Sequence, residues 1–140
     1  MWQQLALFLF KKSIIMESFK EVQQNNKLIA EFIGGKIISK SQINEIWSFS
    51  DFPIKETCLD GDLFSTSLNF NEDWNKIMLV IDFIDIMKDI YNFQVITQSN
   101  FTSFLLSYKN NYYEFTHSSY DKLECLYTVV IRFIKWYNNQ

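Results

Sequence analysis

The residue types that build common catalytic sites are scarce in this chain. Its 140 residues include three glycines, one proline, two cysteines and one histidine. So few glycines leave no glycine-rich loop to cradle a phosphate, and no P-loop, GxGxxG, CxxC, HExxH or EF-hand pattern occurs. The sequence therefore carries no signature of the common enzyme classes, and we expect neither a metal nor an organic cofactor.

Positive charge is scarce as well. The net charge is −3, and Arg132 is the only arginine among basic residues that are otherwise lysines. Proteins that read nucleic acids rely on arginine for two-point contacts with bases and phosphates, and an acidic chain is poorly suited to a phosphate backbone. We therefore expect no direct sequence-specific binding of nucleic acid.

Long apolar runs are also missing. The run LALFLF at residues 5–10 is too short to span a bilayer, and Lys11 and Lys12 follow it where a signal peptide would have a cleavage site. We expect no membrane association and an intracellular location. Cys58 and Cys125 are far apart and in no metal-binding spacing, so we predict reduced thiols; a disulfide between them stays open.

Apolar and aromatic residues are abundant, at 48% and 18% of the chain. Residues 1–140 are therefore predicted to form a single domain with a sizeable core. The clearest element is a helix over Ser118–Asn138, whose apolar residues recur at helical spacing on one face. Ser118 is its predicted N-cap, with Asp121 in the first turn and Lys135 in the last.

The other elements follow from periodicity and turn residues. We predict one long amphipathic helix, or two in line, over residues 2–33; a short strand at 36–38; a strand at 64–70; a helix capped by Asn71 over 72–91; and strands at 93–97, 103–108 and 112–116, the last two joined by a turn at 109–111. The predicted class is α+β, an antiparallel sheet of about four strands packed against three helices in the order α-β-β-α-β-β-β-α.

Three carboxylates stand out on the second predicted helix. Asp82, Asp85 and Asp89 are spaced by three and four residues, which places them on one helix face. The stripe is typical of the solvated side of an otherwise apolar helix. It also fits a surface that binds a basic partner. With a fourth acid from elsewhere, its oxygens would suit a hard cation such as Mg²⁺.

Aromatic residues cluster around the predicted hairpin. Tyr112 and Tyr113 are neighbours in a strand, so they should point to opposite faces and one should be exposed. Exposed tyrosines are good contact residues, although packing at the sheet edge explains them too. Trp136 lies beside the apolar face of the last helix, as a core-edge residue or an interface anchor. His117, at the strand-to-helix junction, is interpreted as a polar junction residue.

Three stretches together resemble a known group of proteins. They are NKLIAEFIG at 26–34, DWNKIMLVIDFID at 73–85 and LYTVVIRFIKWYNNQ at 126–140. Small uncharacterised proteins of phages and mobile elements of Bacteroidetes-type bacteria have a similar layout, NELIAEFMG … WDWLMPVV … VVEFIKWYN. The chain departs from that layout in the centre, where SLNFNED replaces a tyrosine-histidine-threonine-serine run. Residues 1–25 are interpreted as an N-terminal helical extension of the family-like core at 26–140, and Met16 is an alternative start.

The resemblance implies a phage or prophage accessory protein in the cytoplasm of its bacterial host. The expected function is non-enzymatic: binding and inhibiting a host protein or ribonucleoprotein of a defence system, most of all a CRISPR effector. A structural or regulatory phage protein that binds itself or another phage protein is the first alternative, and a metal-dependent nucleic-acid enzyme is the second. The predicted partner-binding residues are Asp82, Asp85, Asp89, Tyr112, Tyr113 and Trp136.

Overall fold

A computed structural model describes residues 18–42, 44–54, 59 and 61–140 of the chain. Helix α1 covers residues 18–32 of this part. The elements that follow are β1 (Lys36–Lys40), β2 (Glu45–Ser48), β3 (Asp62–Phe64), a 3₁₀ turn (Ser65–Ser67), α2 (Trp74–Asp85), β4 (Tyr91–Thr97), β5 (Phe101–Tyr108), β6 (Asn111–Ser118) and α3 (Lys122–Asn138).

The strands form two antiparallel sheets with the orders β1-β2-β3 and β4-β5-β6. The α+β class is therefore confirmed, and helices and strands alternate along the chain roughly as predicted. The single sheet of about four strands is wrong, because the strands before α2 form a sheet of their own. That first sheet contains β2, which the sequence did not predict.

Between β3 and α2 the chain departs from the predicted strand at 64–70. Strand β3 ends at Phe64, and a 3₁₀ turn follows. The Asn44 side-chain oxygen accepts hydrogen bonds from the backbone N–H groups of Glu45 and Ser65, at 3.0 and 3.1 Å, and so holds this turn against β2. Leu68 and Phe70 are buried, as their alternation with polar residues indicated, but from irregular backbone.

Helix α2 is shorter than the predicted span of 72–91. Its N-cap is Asp73, whose side chain accepts a hydrogen bond from the Lys76 N–H. Asn71, the predicted cap, instead accepts a hydrogen bond from the buried Asn26 side chain of α1 at 3.0 Å. The helix ends at Asp85, so Asp89 lies beyond it.

Helix α3 begins later than predicted and ends where predicted, at Asn138. Ser118 is the last residue of β6, and the N-cap is Asp121, which accepts hydrogen bonds from the N–H groups of Leu123 and Glu124 at 3.0 and 3.2 Å. Lys135 lies in the last turn, where a cation is favoured. The predicted cap was wrong because hairpin pairing extends β6 through Ser118.

The predicted hairpin of β5 and β6 is confirmed, and both strands are longer than predicted. Tyr108 pairs with Asn111, so the turn consists of Lys109 and Asn110 alone. Both have positive φ, +48° and +65°. A two-residue turn with this backbone conformation matches the right-handed twist of the strands that it joins.

Helix α1 is continuous over residues 18–32, so the two helices in line that were considered for residues 2–33 do not meet within this range. The predicted boundary between an extension and a core, after residue 25, therefore falls inside this helix. Gly34 follows the helix with a φ of +91°, a conformation that favours glycine at a helix end. Cys125 is buried and free. Residues 1–17, with the alternative start at Met16, and Cys58 lie outside the described residues.

The core lies where α3 packs on β5 and β6 and against α2. Phe133 of α3 is fully buried at its centre. Its ring lies within 6.5 Å of the rings of Phe32, Phe104 and Phe115, which belong to α1, β5 and β6. Because α3 covers one face of the β4-β5-β6 sheet, side chains on the opposite face of β6, such as Tyr112 and Glu114, are exposed.

The position of the α3 cap can be tested by substitution. Asp121→Ala should lower the free energy of unfolding by about 1 kcal/mol, because two backbone N–H groups lose their acceptor. Ser118→Ala should change it by less than about 0.5 kcal/mol. Chemical denaturation measures both, and Asp121→Asn serves as the control that keeps an acceptor. An equal loss in the two alanine variants would contradict the assigned cap.

Candidate protein-binding face

Helix α2 presents two of the predicted aspartates to solvent. Its buried positions include Ile77, Val80, Ile81 and Ile84, which recur at helical spacing and face the core. Asp82 and Asp85 directly follow Ile81 and Ile84 in sequence and are exposed. Their placement on one side of α2 agrees with the predicted stripe.

Asp89 belongs to the turn between α2 and β4, so a continuous three-aspartate stripe on one helix is wrong. The side chain is exposed and accepts a hydrogen bond of 2.6 Å from the Tyr137 hydroxyl near the end of α3. Within the described ranges, no group of three histidine, cysteine, aspartate or glutamate side chains is arranged to hold a metal ion. We use the term acidic face for Asp82, Asp85 and Asp89.

Tyr137 donates the hydrogen bond that fixes the position of Asp89. Partial burial, together with the hydrogen bond to Asp89 and its negative charge, raises the pKa of the Tyr137 hydroxyl to about 12. The hydroxyl therefore stays protonated at neutral pH and can donate its hydrogen bond to the Asp89 carboxylate. This contact connects the turn that carries Asp89 to the helix on which the core is built.

An apolar side chain accompanies the acidic face. Ile86, the residue after α2, is 53% exposed, although large aliphatic side chains usually avoid water. Lys88 in the same turn is also exposed. The exposed residues of this segment thus combine carboxylates with an apolar side chain, a combination found in surfaces that bind proteins.

The two predicted tyrosines of β6 point to opposite faces, as expected. Tyr112 is 64% exposed, whereas Tyr113 is half-buried and its ring lies 4.6 Å from that of Trp136. Trp136 also contacts the rings of Tyr108 and Phe115, at 5.3 and 5.4 Å. Tyr113 and Trp136 therefore pack against each other at the core edge, and Tyr112 is the member of this group that is open to a partner.

Tyr91 was missed by the sequence reasoning, because it was assigned to the end of the second helix. It begins β4, is 61% exposed, and pairs with Ser107. Ser107 in turn pairs with Tyr112 on its other side. Since paired residues share a sheet face, Tyr91 and Tyr112 flank a small serine on the outer face of the sheet. We call this set the tyrosine row. Nothing in the sequence could have revealed it, because it depends on how β4, β5 and β6 pair.

The acidic face and the tyrosine row are close to each other in the sequence. Only Ile90, which is buried, separates Asp89 from Tyr91 along the chain. Of the six predicted partner-binding residues, Asp82, Asp85, Asp89 and Tyr112 are exposed. His117 lies within β6, opposite Thr102, and not at the junction with α3.

Comparison with protein-family models, with curated proteins and with solved structures found no match. No helix in the described part of the chain is long and apolar enough to cross a membrane.

The contact between Tyr137 and Asp89 predicts a pH dependence of stability. The pKa of Tyr137 is raised from about 10 to about 12 in the folded state, so the unfolded state releases this proton first as the pH rises. The contribution of the Tyr137 hydroxyl to the free energy of unfolding is fully present below pH 10 and is lost between pH 10 and pH 12. Tyr137→Phe should flatten that decline by about 1 kcal/mol after allowance for solvent screening. Denaturation across this pH range measures it, and an unchanged slope would contradict the assignment.

Proposed function

We propose that this protein is a non-enzymatic phage or prophage protein that binds a host protein or ribonucleoprotein through its acidic face. The observation that carries the proposal is the occurrence of three exposed carboxylates and two exposed apolar or aromatic side chains, Ile86 and Tyr91, within residues 82–91. Carboxylates steer a partner of opposite charge and set its orientation. Desolvated aromatic and aliphatic side chains supply most of the binding energy at such contacts.

The partner expected for this face is basic. Asp82 and Asp85 form no ion pair with any described lysine or arginine, so their charges are available to a partner. Grooves that hold a guide or target nucleic acid are lined with lysine and arginine side chains that normally contact phosphates. Carboxylates presented by a rigid helix can occupy such a groove in place of the phosphates.

A CRISPR effector is the specific target we propose within this class. Such an effector has a basic groove for nucleic acid and acts in host defence. The resemblance of this chain to phage and mobile-element proteins favours a target in host defence. The expected mechanism is occlusion: the acidic face lies in the groove, Ile86 and Tyr91 pack against its rim, and nucleic acid is excluded. This mechanism needs no catalytic group on the bound protein.

Charge reversal of the acidic face tests the proposal. Asp82→Lys combined with Asp85→Lys should weaken binding to a purified CRISPR effector ribonucleoprotein by roughly tenfold to a hundredfold, because attraction becomes repulsion. Binding of the unaltered protein should also weaken as salt is raised. Calorimetry or surface plasmon resonance measures both effects. Asp89 stays unaltered because its substitution would also break the contact with Tyr137.

The matched control is Asp62→Lys combined with Glu72→Lys. It changes the net charge by the same amount at two exposed acids, one in β3 and one just before α2. Glu72 precedes Asp82 by ten residues, roughly 15 Å along a helix axis. Equal weakening by both pairs would point to net charge alone. If the unaltered protein neither binds the effector nor raises phage plating on a CRISPR-positive host, the proposed target is wrong.

A further inference from the structure

The two sheets have four edge strands in the described part of the chain, and three of them are protected against pairing with another strand. Strand β1 carries Lys36 and Lys40 and contains a bulge, and β3 is three residues long. In β6, the Arg132 guanidinium donates a 2.6 Å hydrogen bond to the Thr116 carbonyl. Charged side chains, bulges, short strands and covered carbonyls are the usual means by which proteins block such pairing.

Strand β4 lacks most of these protections. Its sequence, YNFQVIT, contains no charged residue and no proline, and residues 90–108 as a whole carry no charge. A bulge near its start, with Asn92 at a φ of +54°, disturbs only the part before Gln94. Val95 and Ile96 in the regular part are 38% and 40% exposed. Among the described residues, β4 is therefore an open and uncharged edge that exposes two apolar side chains.

The hydrogen-bond pattern shows which backbone groups this edge presents. The Gln98 N–H donates to the Phe101 carbonyl at 2.9 Å, so residue 98 faces β5. Antiparallel ladders alternate, and Ile96 and Gln94 therefore also face β5, whereas Thr97 and Val95 direct their N–H and C=O groups away from it. No hydrogen bond from another described residue reaches these outward groups.

We propose that β4 is a dimerisation edge, at which the β4 strands of two copies of this chain pair antiparallel. In this arrangement Val95 of each copy lies opposite Thr97 of the other, and Ile96 lies opposite its own counterpart on the twofold axis. The outward backbone groups of both strands are then paired. The two three-stranded sheets become one six-stranded sheet, β6-β5-β4-β4-β5-β6.

A second copy fits this edge better than a partner of different sequence. A twofold contact places each residue against the same patch of the other copy, so a charged edge would bring like charges together. β4 has no charge to repel itself and none to select a charged partner. Ile96 pairs with Ser103, whose side chain lies on the sheet face opposite α3. Because paired residues share a face, the Ile96 side chain also projects from this outer face. Two Ile96 side chains would cover each other across the axis.

Val95→Pro tests the edge directly. It removes the outward N–H of Val95, which pairs only in the dimer, and takes no hydrogen bond from the ladder between β4 and β5. Sedimentation equilibrium over a range of concentrations should show a dimer for the unaltered chain and a monomer for this variant, with an unchanged circular dichroism spectrum. Val95→Ala is the matched control, keeps the N–H, and should remain dimeric.

A charge swap provides a second test that is independent of proline. Ile96→Lys and Ile96→Glu should each be monomeric, because each places two like charges on the axis, and an equimolar mixture should restore the dimer. An unaltered chain that is monomeric at all concentrations, a dimeric Val95→Pro variant or a monomeric mixture would each overturn the proposal. The test uses no defence protein, so its outcome is independent of the proposed function.

Discussion

The packing of Phe133 is the constraint on which the rest of this structure depends. One ring on α3 contacts aromatic rings from α1, β5 and β6, and it stacks beside Tyr137 and Trp136 of its own helix. Edge-to-face pairs of this kind add about 0.5–1.5 kcal/mol each beyond the burial of apolar area. The terminal helix therefore determines both which face of the β4-β5-β6 sheet is buried and which face remains open.

This choice of face decides which side chains of β6 are exposed. Tyr113 and Phe115 of β6 are used by the core, so Tyr112 and Glu114 between them must point away from it. In α2, burial of the apolar side chains in the core likewise leaves Asp82 and Asp85 exposed to solvent. The Tyr137 hydroxyl then extends the influence of α3 to the turn that holds Asp89. These exposed side chains are thus positioned by elements that pack on α3, which favours a preorganised surface.

Local periodicity was sufficient for some elements and misleading for others. The body of α3 and the β5–β6 hairpin were predicted because their apolar spacing and turn residues are local features. Alternation at residues 64–70 indicated a strand, yet a hydrogen bond from the Ser65 N–H to the side-chain oxygen of Asn44, some twenty residues earlier, holds a 3₁₀ turn there. The end of α2 was missed because residues 86–90 continue an apolar helical pattern, while Ile90 is buried from the turn into β4.

The candidate site was predicted in part for the same reason. Asp82, Asp85 and the opposed directions of Tyr112 and Tyr113 follow from helix and strand geometry alone. The hydrogen bond between Asp89 and Tyr137 joins residues 48 positions apart, and the tyrosine row depends on the register of three strands. Neither can be read from one segment, because each is created by tertiary packing.

The two proposed surfaces are compatible with each other in one molecule. Asp89 precedes Ile96 by seven residues, which is roughly 20 Å of extended chain. With Ile96 on a twofold axis and the strands antiparallel, the two acidic faces would lie at opposite ends of the joined sheet, roughly 40 Å apart. That separation is several times the screening length of about 8 Å at physiological salt, so their like charges would oppose dimerisation little. A dimer of this form would present two acidic faces at a fixed distance, and partner surfaces at a matching spacing would be bound with an avidity that neither face has alone.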